Sequence, residues 1–389
     1  MLVAKWFKNY YSMSLLAVGV LVGCSSETDT IVMSPVPSVN NQFSIGEAWS
    51  TDVDDGVEHY FSDLQPAIAY EHVYVASRNG MVEALNPKTG EMVWEKELTF
   101  GDTPTRLAGG ITAALNHLFI GSENGVLYAL DAETGRTAWK AKIDGEILSL
   151  PTVDSGLVLV NSSDGQLVAF DLKTGEKTWS INSEVPNLTL RGDSSPTTIA
   201  GGVFWGTASG RLQAAIVARG QMIWQKTIGS PKGATEIDRL VDVDSKPLVL
   251  GGIIYSVGYN GNLVAIDLRS ANVVWKREYS SSKDLTTDGK SIFMVTDKDH
   301  IIAVDARNGS QLWSNDKLQH RLVTAPVLLN DELVVADSQG YVYWIDRNTG
   351  EFVAKDFIDE SGFAVPPQQL DDGFLIVTRS GEVKKLKIK

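Results

Sequence analysis

The chain has 389 residues, 43% hydrophobic and 21% charged. That is the make-up of an ordinary globular protein, built as one large domain or as two or three smaller ones. Its net charge of −14 repels phosphate backbones and excludes nucleic acid as a natural partner.

Taken in chain order, the first signal is a targeting segment. Lys5 and Lys8 precede an apolar run from Met13 to Val22, too short to span a bilayer as a helix. The run ends in Leu21-Val22-Gly23-Cys24, which resembles a bacterial lipobox, and Cys24 is the only cysteine in the sequence. The expectation is a lipoprotein signal peptide over residues 1–23 and an acylated Cys24 as the mature N-terminus. Ser25 and Ser26 follow, with no aspartate directly after Cys24. By the sorting rules of bacterial lipoproteins, that pattern implies the outer membrane, with the body facing the periplasm. Removing the signal also removes Lys5 and Lys8, so the mature chain is still more acidic. No cysteine is left for an intramolecular disulfide, and stability must come from a large core. Residues 24–41 are polar and contain prolines, and they read as a flexible tether.

From residue 42 onward the chain repeats itself. A glycine-containing turn followed by a strand recurs as NGMVEAL at Asn79, NGVLYAL at Asn124, DGQLVAF at Asp164, SGRLQAA at Ser209 and NGNLVAI at Asn260. DHIIAV at Asp299, QGYVYWI at Gln339 and SGEVKKL at Ser380 complete eight copies, spaced 39 to 51 residues apart. Several short strands per unit at this period predict a β-propeller. Asn-Gly and Asp-Gly reach positive φ cheaply and close two-residue hairpins. In the Asp-x-x-Thr-Gly turn that follows, the aspartate accepts from nearby backbone N–H groups.

A tryptophan comes after most of these turns, at Trp94, Trp139, Trp179, Trp224, Trp275 and Trp313. Once per unit, such a residue is expected to pack blade on blade, burying roughly 150–250 Å² each. The pattern breaks where Ala271 replaces the turn glycine and where Ala354 stands in the tryptophan place. The eighth copy has no outer strand, yet an orphan GEAWS at residues 46–50 precedes the first complete unit. The economical solution is ring closure by the strand around Trp49, which also removes an open sheet edge. The predicted fold is therefore all-β: one eight-bladed propeller over residues 42–389, with four antiparallel strands per blade.

The connections between blades differ in length. From Trp139 to Pro151 is 12 positions and from Trp313 to Pro326 is 13, but Trp179 to Pro196 is 17 and Trp224 to Pro247 is 23. Two successive connections on one face are thus enlarged. The first carries NLTLRGD. In an extended segment Leu188 and Leu190 fall on one side, with Arg191 following. The second carries Asp242 and Asp244, placed to orient Arg191 or to meet a cation on a partner. Two readings fit these residues: two aliphatic anchors beside an arginine form an interface hot spot, or the leucines cover the local core and the acids are solvated surface.

The sequences ALDAETGRTAW and AFDLKTGEKTW resemble the tryptophan-docking repeat of quinoprotein (PQQ) dehydrogenases. With the lipobox, eight copies, LTLRGDS and DRLVDVD, the chain resembles most the BamB family, lipoproteins of the outer-membrane β-barrel assembly (BAM) machinery. That resemblance covers essentially the whole chain. It implies a non-enzymatic scaffold that binds the POTRA region of BamA and assists insertion of β-barrel precursors. It further implies that Leu188, Leu190, Arg191, Asp242 and Asp244 serve that binding. Separately, the sheet edges of the blades make unfolded barrel precursors candidate partners by strand addition.

The alternative is a periplasmic quinoprotein-like dehydrogenase or a small-ligand-binding propeller. The vicinal cysteine pair often found in such dehydrogenases is missing, and His59, His72, His117, His300 and His320 show no metal-ligand spacing. Neither a Ser-His-Asp constellation nor a phosphate loop is recognisable. Asp242 and Asp244 alone lack the other oxygens a calcium site needs. The expectation is no catalytic residue, no metal and no cofactor.

Overall fold

Short, nearly continuous apolar runs such as Leu157–Asn161 become the buried middle strands of four-stranded antiparallel sheets, flanked by a short first strand and a more exposed outer one. The structure, a computed structural model, describes residues 31–389. The expected signal peptide and Cys24 lie outside the described residues, as does the first part of the expected tether.

Residues 33–389 form one unit. Eight sheets of four strands follow one another, and a two-stranded ribbon, Thr99–Phe100 with Thr103–Pro104, decorates the connection after the first blade. We number the blades 1 to 8 from the sheet that begins at Ala67–Ala69. Blade 8 is completed from the other end of the chain. Its first three strands are Gln368–Leu370, Gly373–Val377 and Glu382–Ile388, and its outer strand is Ile45–Asp52. Trp49 faces Lys385 in that ladder, so the ring closes as the orphan GEAWS predicted.

Each outer strand carries a β-bulge at the same place. In blade 2, Ala129 pairs with Trp139 and Leu130 with Thr137, leaving Ala138 as the extra residue. An extra residue bends the strand and re-aims the next side chain. Here it turns the indole toward the following blade. The Trp94 indole donates to the Ala132 carbonyl of blade 2 at 3.1 Å, and the Trp139 indole to the Leu172 carbonyl of blade 3 at 2.9 Å. Beneath six of the seven outer rings the turn residue is a glycine, and it is required twice over. Gly135 has φ +68°, and a Cβ there would stand 2.6 Å from the Trp94 ring.

Blade 7 solves the problem differently. In blades 1 to 6 the outer tryptophan faces an alanine on the third strand, as Trp94 faces Ala84. In blade 7 the pair is exchanged, so that Trp344 on the third strand faces Ala354 on the outer one. The indole has crossed the ladder, and Phe43 packs edge-on against it at 5.9 Å.

The residues just before Phe43, the end of the expected tether, are held as well. Ser34 donates to the Gln319 carbonyl through N and Oγ at 3.0 and 2.8 Å. The Asn41 carboxamide takes both backbone groups of Lys355, donating to its carbonyl at 2.9 Å and accepting from its N–H at 3.0 Å. Gln42 N then donates to the Val353 carbonyl at 2.9 Å. The end of the expected tether is therefore docked along blade 7. The outer strand there, Phe352–Phe357, offers a backbone edge without an indole, and the Asn41 side chain and Gln42 N–H bond to it at Lys355 and Val353.

Candidate interaction face

Connections between blades lie beside the hairpin turns that join second and third strands. Glu146 N, in the connection from blade 2 to blade 3, donates to Ser163 Oγ of the next turn at 2.9 Å, and Val243 N donates to the Thr207 carbonyl at 3.2 Å. Both enlarged connections, residues 183–196 and 228–247, stand on this face.

The first connection has no regular structure, yet it is pinned at three points. Leu190 N donates to Asp242 Oδ2 at 2.6 Å, and Asp242 is only 1% exposed. Asn161 Nδ2 donates to the Ser194 carbonyl at 3.2 Å. The Arg191 guanidinium pairs with Glu123 at 3.0 Å and Glu146 at 2.9 Å. With the backbone so fixed, Leu188 stands 45% exposed, while Leu190 is half-buried over the ring axis.

The sequence brought Leu188, Leu190, Arg191, Asp242 and Asp244 together, and the structure does place them around one patch. It divides their roles differently. The acids expected to orient Arg191 do not touch it; Glu123 and Glu146 do. Asp242 instead holds the loop backbone. Asp244 lies under Gly192, where an added Cβ would come 3.0 Å from its Oδ2. Burial raises the carboxyl pKa of Asp242 and Asp244, and the charge of Asp242 adds to the effect on Asp244.

The second connection contributes what sequence reasoning missed. Residues 235–240 form a single turn, closed by Asp238 N donating to Thr235 Oγ1 at 3.1 Å and Thr235 N donating to Asp238 Oδ2 at 3.2 Å. The turn lifts Ile237 to 68% exposure. Its only signal was a lone isoleucine in the polar run GATEIDR.

At the ring axis the same face opens into a cavity of about 560 Å³. Asp63, Asp193, Asp244 and Asp284 line it together with Lys283 and Arg379. Burial and mutual repulsion raise the carboxyl pKa of these acids. Burial, then Asp284, pushes Asp63 up to about 6, and burial, then Asp244, raises Asp193 well above the ordinary carboxylate range. Among the described residues, no group of three or more His, Cys, Asp or Glu side chains is placed to hold a metal ion.

A family model described as "Outer membrane protein assembly factor BamB" matches residues 78–315. The protein of that name from Vibrio cholerae is 56% identical over 385 residues, covering 98% of this chain and all of the relative. The crystal structure of BamB from Moraxella catarrhalis superposes with a TM-score of 0.80 at 25% identity, over 88% of this chain and all of that one. A quinohemoprotein alcohol dehydrogenase from Comamonas testosteroni superposes with a TM-score of 0.69 at 13% identity, over 90% of this chain and 78% of that one. At that identity the likeness concerns the fold alone.

Proposed function

The chain belongs to the family of outer membrane protein assembly factor BamB, and from that premise we propose that it is a lipid-anchored, periplasm-facing scaffold whose loop at residues 183–196 docks the POTRA region of BamA. It is a component of the outer-membrane assembly machinery and not an enzyme. The quinoprotein-like alternative is not favoured, since the dehydrogenase likeness stops at the fold.

One observation carries the docking reading. Leu188 is held in the open by a loop whose neighbouring backbone and side chains are already bonded. A pre-ordered apolar anchor loses little freedom on binding, and an aliphatic side chain flanked by a fixed arginine is a fitting hot spot. Acylation at Cys24 would add to this by raising the effective concentration near the partner, so the protein contact need not be tight alone.

The test is binding of the chain to the BamA POTRA region, with Leu188→Ala/Arg191→Ala compared against wild type and folding checked by circular dichroism. Lost binding by a folded variant supports the reading. Undiminished binding moves the interface elsewhere on the ring.

A second reading concerns the barrel precursors. The outer edge of blade 7 takes one backbone hydrogen bond from Gln42 and two from the Asn41 carboxamide, so the backbone groups of a blade edge of this protein are open to hydrogen bonding by another segment. The outer strands of blades 1, 4 and 5 leave Met92, Val93, Met222, Ile223, Val273 and Val274 exposed. Photocrosslinks from these positions to a translocating precursor would support strand addition; their absence in an active complex would count against it.

A further inference from the structure

Arg191 is the end of a longer chain of contacts. Glu123, which holds its Nη2, is itself gripped by Arg78 through Nε and Nη2 at 3.0 and 2.7 Å. That two-pronged geometry fixes a carboxylate in both plane and direction. Arg78 is 7% exposed, and its guanidinium carbon lies 3.7 Å from the centroid of the Tyr60 ring. The Arg78 backbone is bonded as well, its N–H donating to the Gly56 carbonyl at 2.8 Å and its carbonyl accepting from Leu107 N at 2.9 Å. The contacts therefore run from the segment just after the ring-closing strand, through the hairpin turns of blades 1 and 2, to the enlarged loop.

The two carboxylates on Arg191 are not equivalent. Glu146 is 32% exposed at its side chain, whereas Glu123 is 10% exposed and shared between two arginines. An ion pair in water adds little, but one that is enclosed and fixed by a second cation holds its geometry. An arginine so fixed presents its remaining N–H edge at a set angle beside Leu188.

We propose that Glu123, backed by Arg78 and Tyr60, is the positioning residue of the partner-binding loop, setting the direction in which Arg191 faces the partner. This rests on the docking role of residues 183–196 argued above. Glu123 touches no partner in this scheme and acts through Arg191 alone.

The experiment uses the full lipoprotein in detergent. Hydrogen exchange over residues 187–192 is measured in the free protein, and affinity for the BamA POTRA region is measured separately. In Glu123→Gln the exchange rises about tenfold and the affinity falls about tenfold, the loss of one hydrogen bond to a charged group. Because that variant leaves Arg78 enclosed without a charge partner, Arg78→Met/Glu123→Gln is made alongside it. Removing both charges keeps the ring folded, and the same two changes are expected. Neither variant loses further affinity when combined with Arg191→Ala, whereas a merely structural role would make the losses add. Unchanged exchange in both variants, or additive losses, overturns the proposal. Exchange that responds to Glu123 in a chain whose wild type does not bind the POTRA region leaves the positioning role standing and removes the docking reading.

Discussion

The carboxylate of Asp242, in the second enlarged connection, accepts a 2.6 Å hydrogen bond from the backbone N–H of Leu190 in the first. The two connections are thus one structure. Asp242→Ala leaves that N–H without its partner, at a cost of about 1–3 kcal/mol in loop stability. Asp242→Asn keeps an acceptor in place and removes a carboxyl that burial already disfavours as an anion. The expected result is faster hydrogen exchange at Leu190 and weaker partner binding in the alanine variant, with the asparagine variant close to wild type in both.

The docking reading requires Leu188 to carry binding without carrying the fold. At 45% exposure its truncation removes little from the core, and the melting temperature of Leu188→Ala should match wild type. Its affinity for the partner should drop by about 2 kcal/mol or more, as for a central anchor. Ile237, 68% exposed on the neighbouring connection, sits on the same face, and Ile237→Ser is expected to weaken binding by a smaller amount. Calorimetric titration of each variant, with thermal melts in parallel, separates the two effects.

The ring was legible because the chain states it eight times. Turn chemistry, period and the orphan strand around Trp49 each pointed to closure, and the ladder between Ile45–Asp52 and Glu382–Ile388 supplies it. What was not legible lies across blades. Arg191 meets Glu146 45 residues away, and nothing local marks either glutamate as its partner. The exchange of Trp344 for Ala354 did leave a trace, since YVYWI carries a tryptophan where six of the other copies have alanine and the eighth has Lys385. The sequence shows the gap at Ala354, but the pairing of the two positions across the ladder is not local and only the sheet register reveals it. Residues 34–41 read as a linker on composition; the hold on Asn41 comes from a bare sheet edge 314 residues away, which no local pattern reports.

The axial acids predict an inverted pH response. An aspartate whose folded pKa is raised binds a proton more readily in the native state than when unfolded, so its contribution to stability is lost as pH rises through the interval between the two values. For Asp63 that interval runs from 3.8 to about 6, and Asp193 and Asp244 are shifted in the same direction. The lowered carboxylates, such as Asp131 with its Thr134 hydrogen bonds, titrate below this range and do not oppose the trend. The melting temperature should therefore be higher at pH 5.5 than at pH 7.5. Asp63→Asn should flatten the difference, and a pair of melts on each protein decides it.

Of the seven joints that carry an outer tryptophan, the one between blades 4 and 5 departs from the rest. Six of the seven outer tryptophans rest on a turn glycine and donate their indole N–H to a carbonyl of the next blade. Among the described residues, Trp224 alone has no such bond. The repeat sets Ala271 opposite it, at φ +56°, where the other turns have glycine. The alanine is strained in that conformation, and its methyl stands where the others leave room for the ring. Ala271→Gly removes both obstacles and gives back part of the gain as chain entropy. The net expectation is about 1 kcal/mol of added stability, read as a higher denaturant midpoint at unchanged slope. The reverse change at a sound joint, Gly135→Ala, forces a Cβ to 2.6 Å from Trp94 and should destabilise by several times that amount. If the two substitutions shifted the midpoint in the same direction, the indole-on-glycine contact would not be what joins the blades.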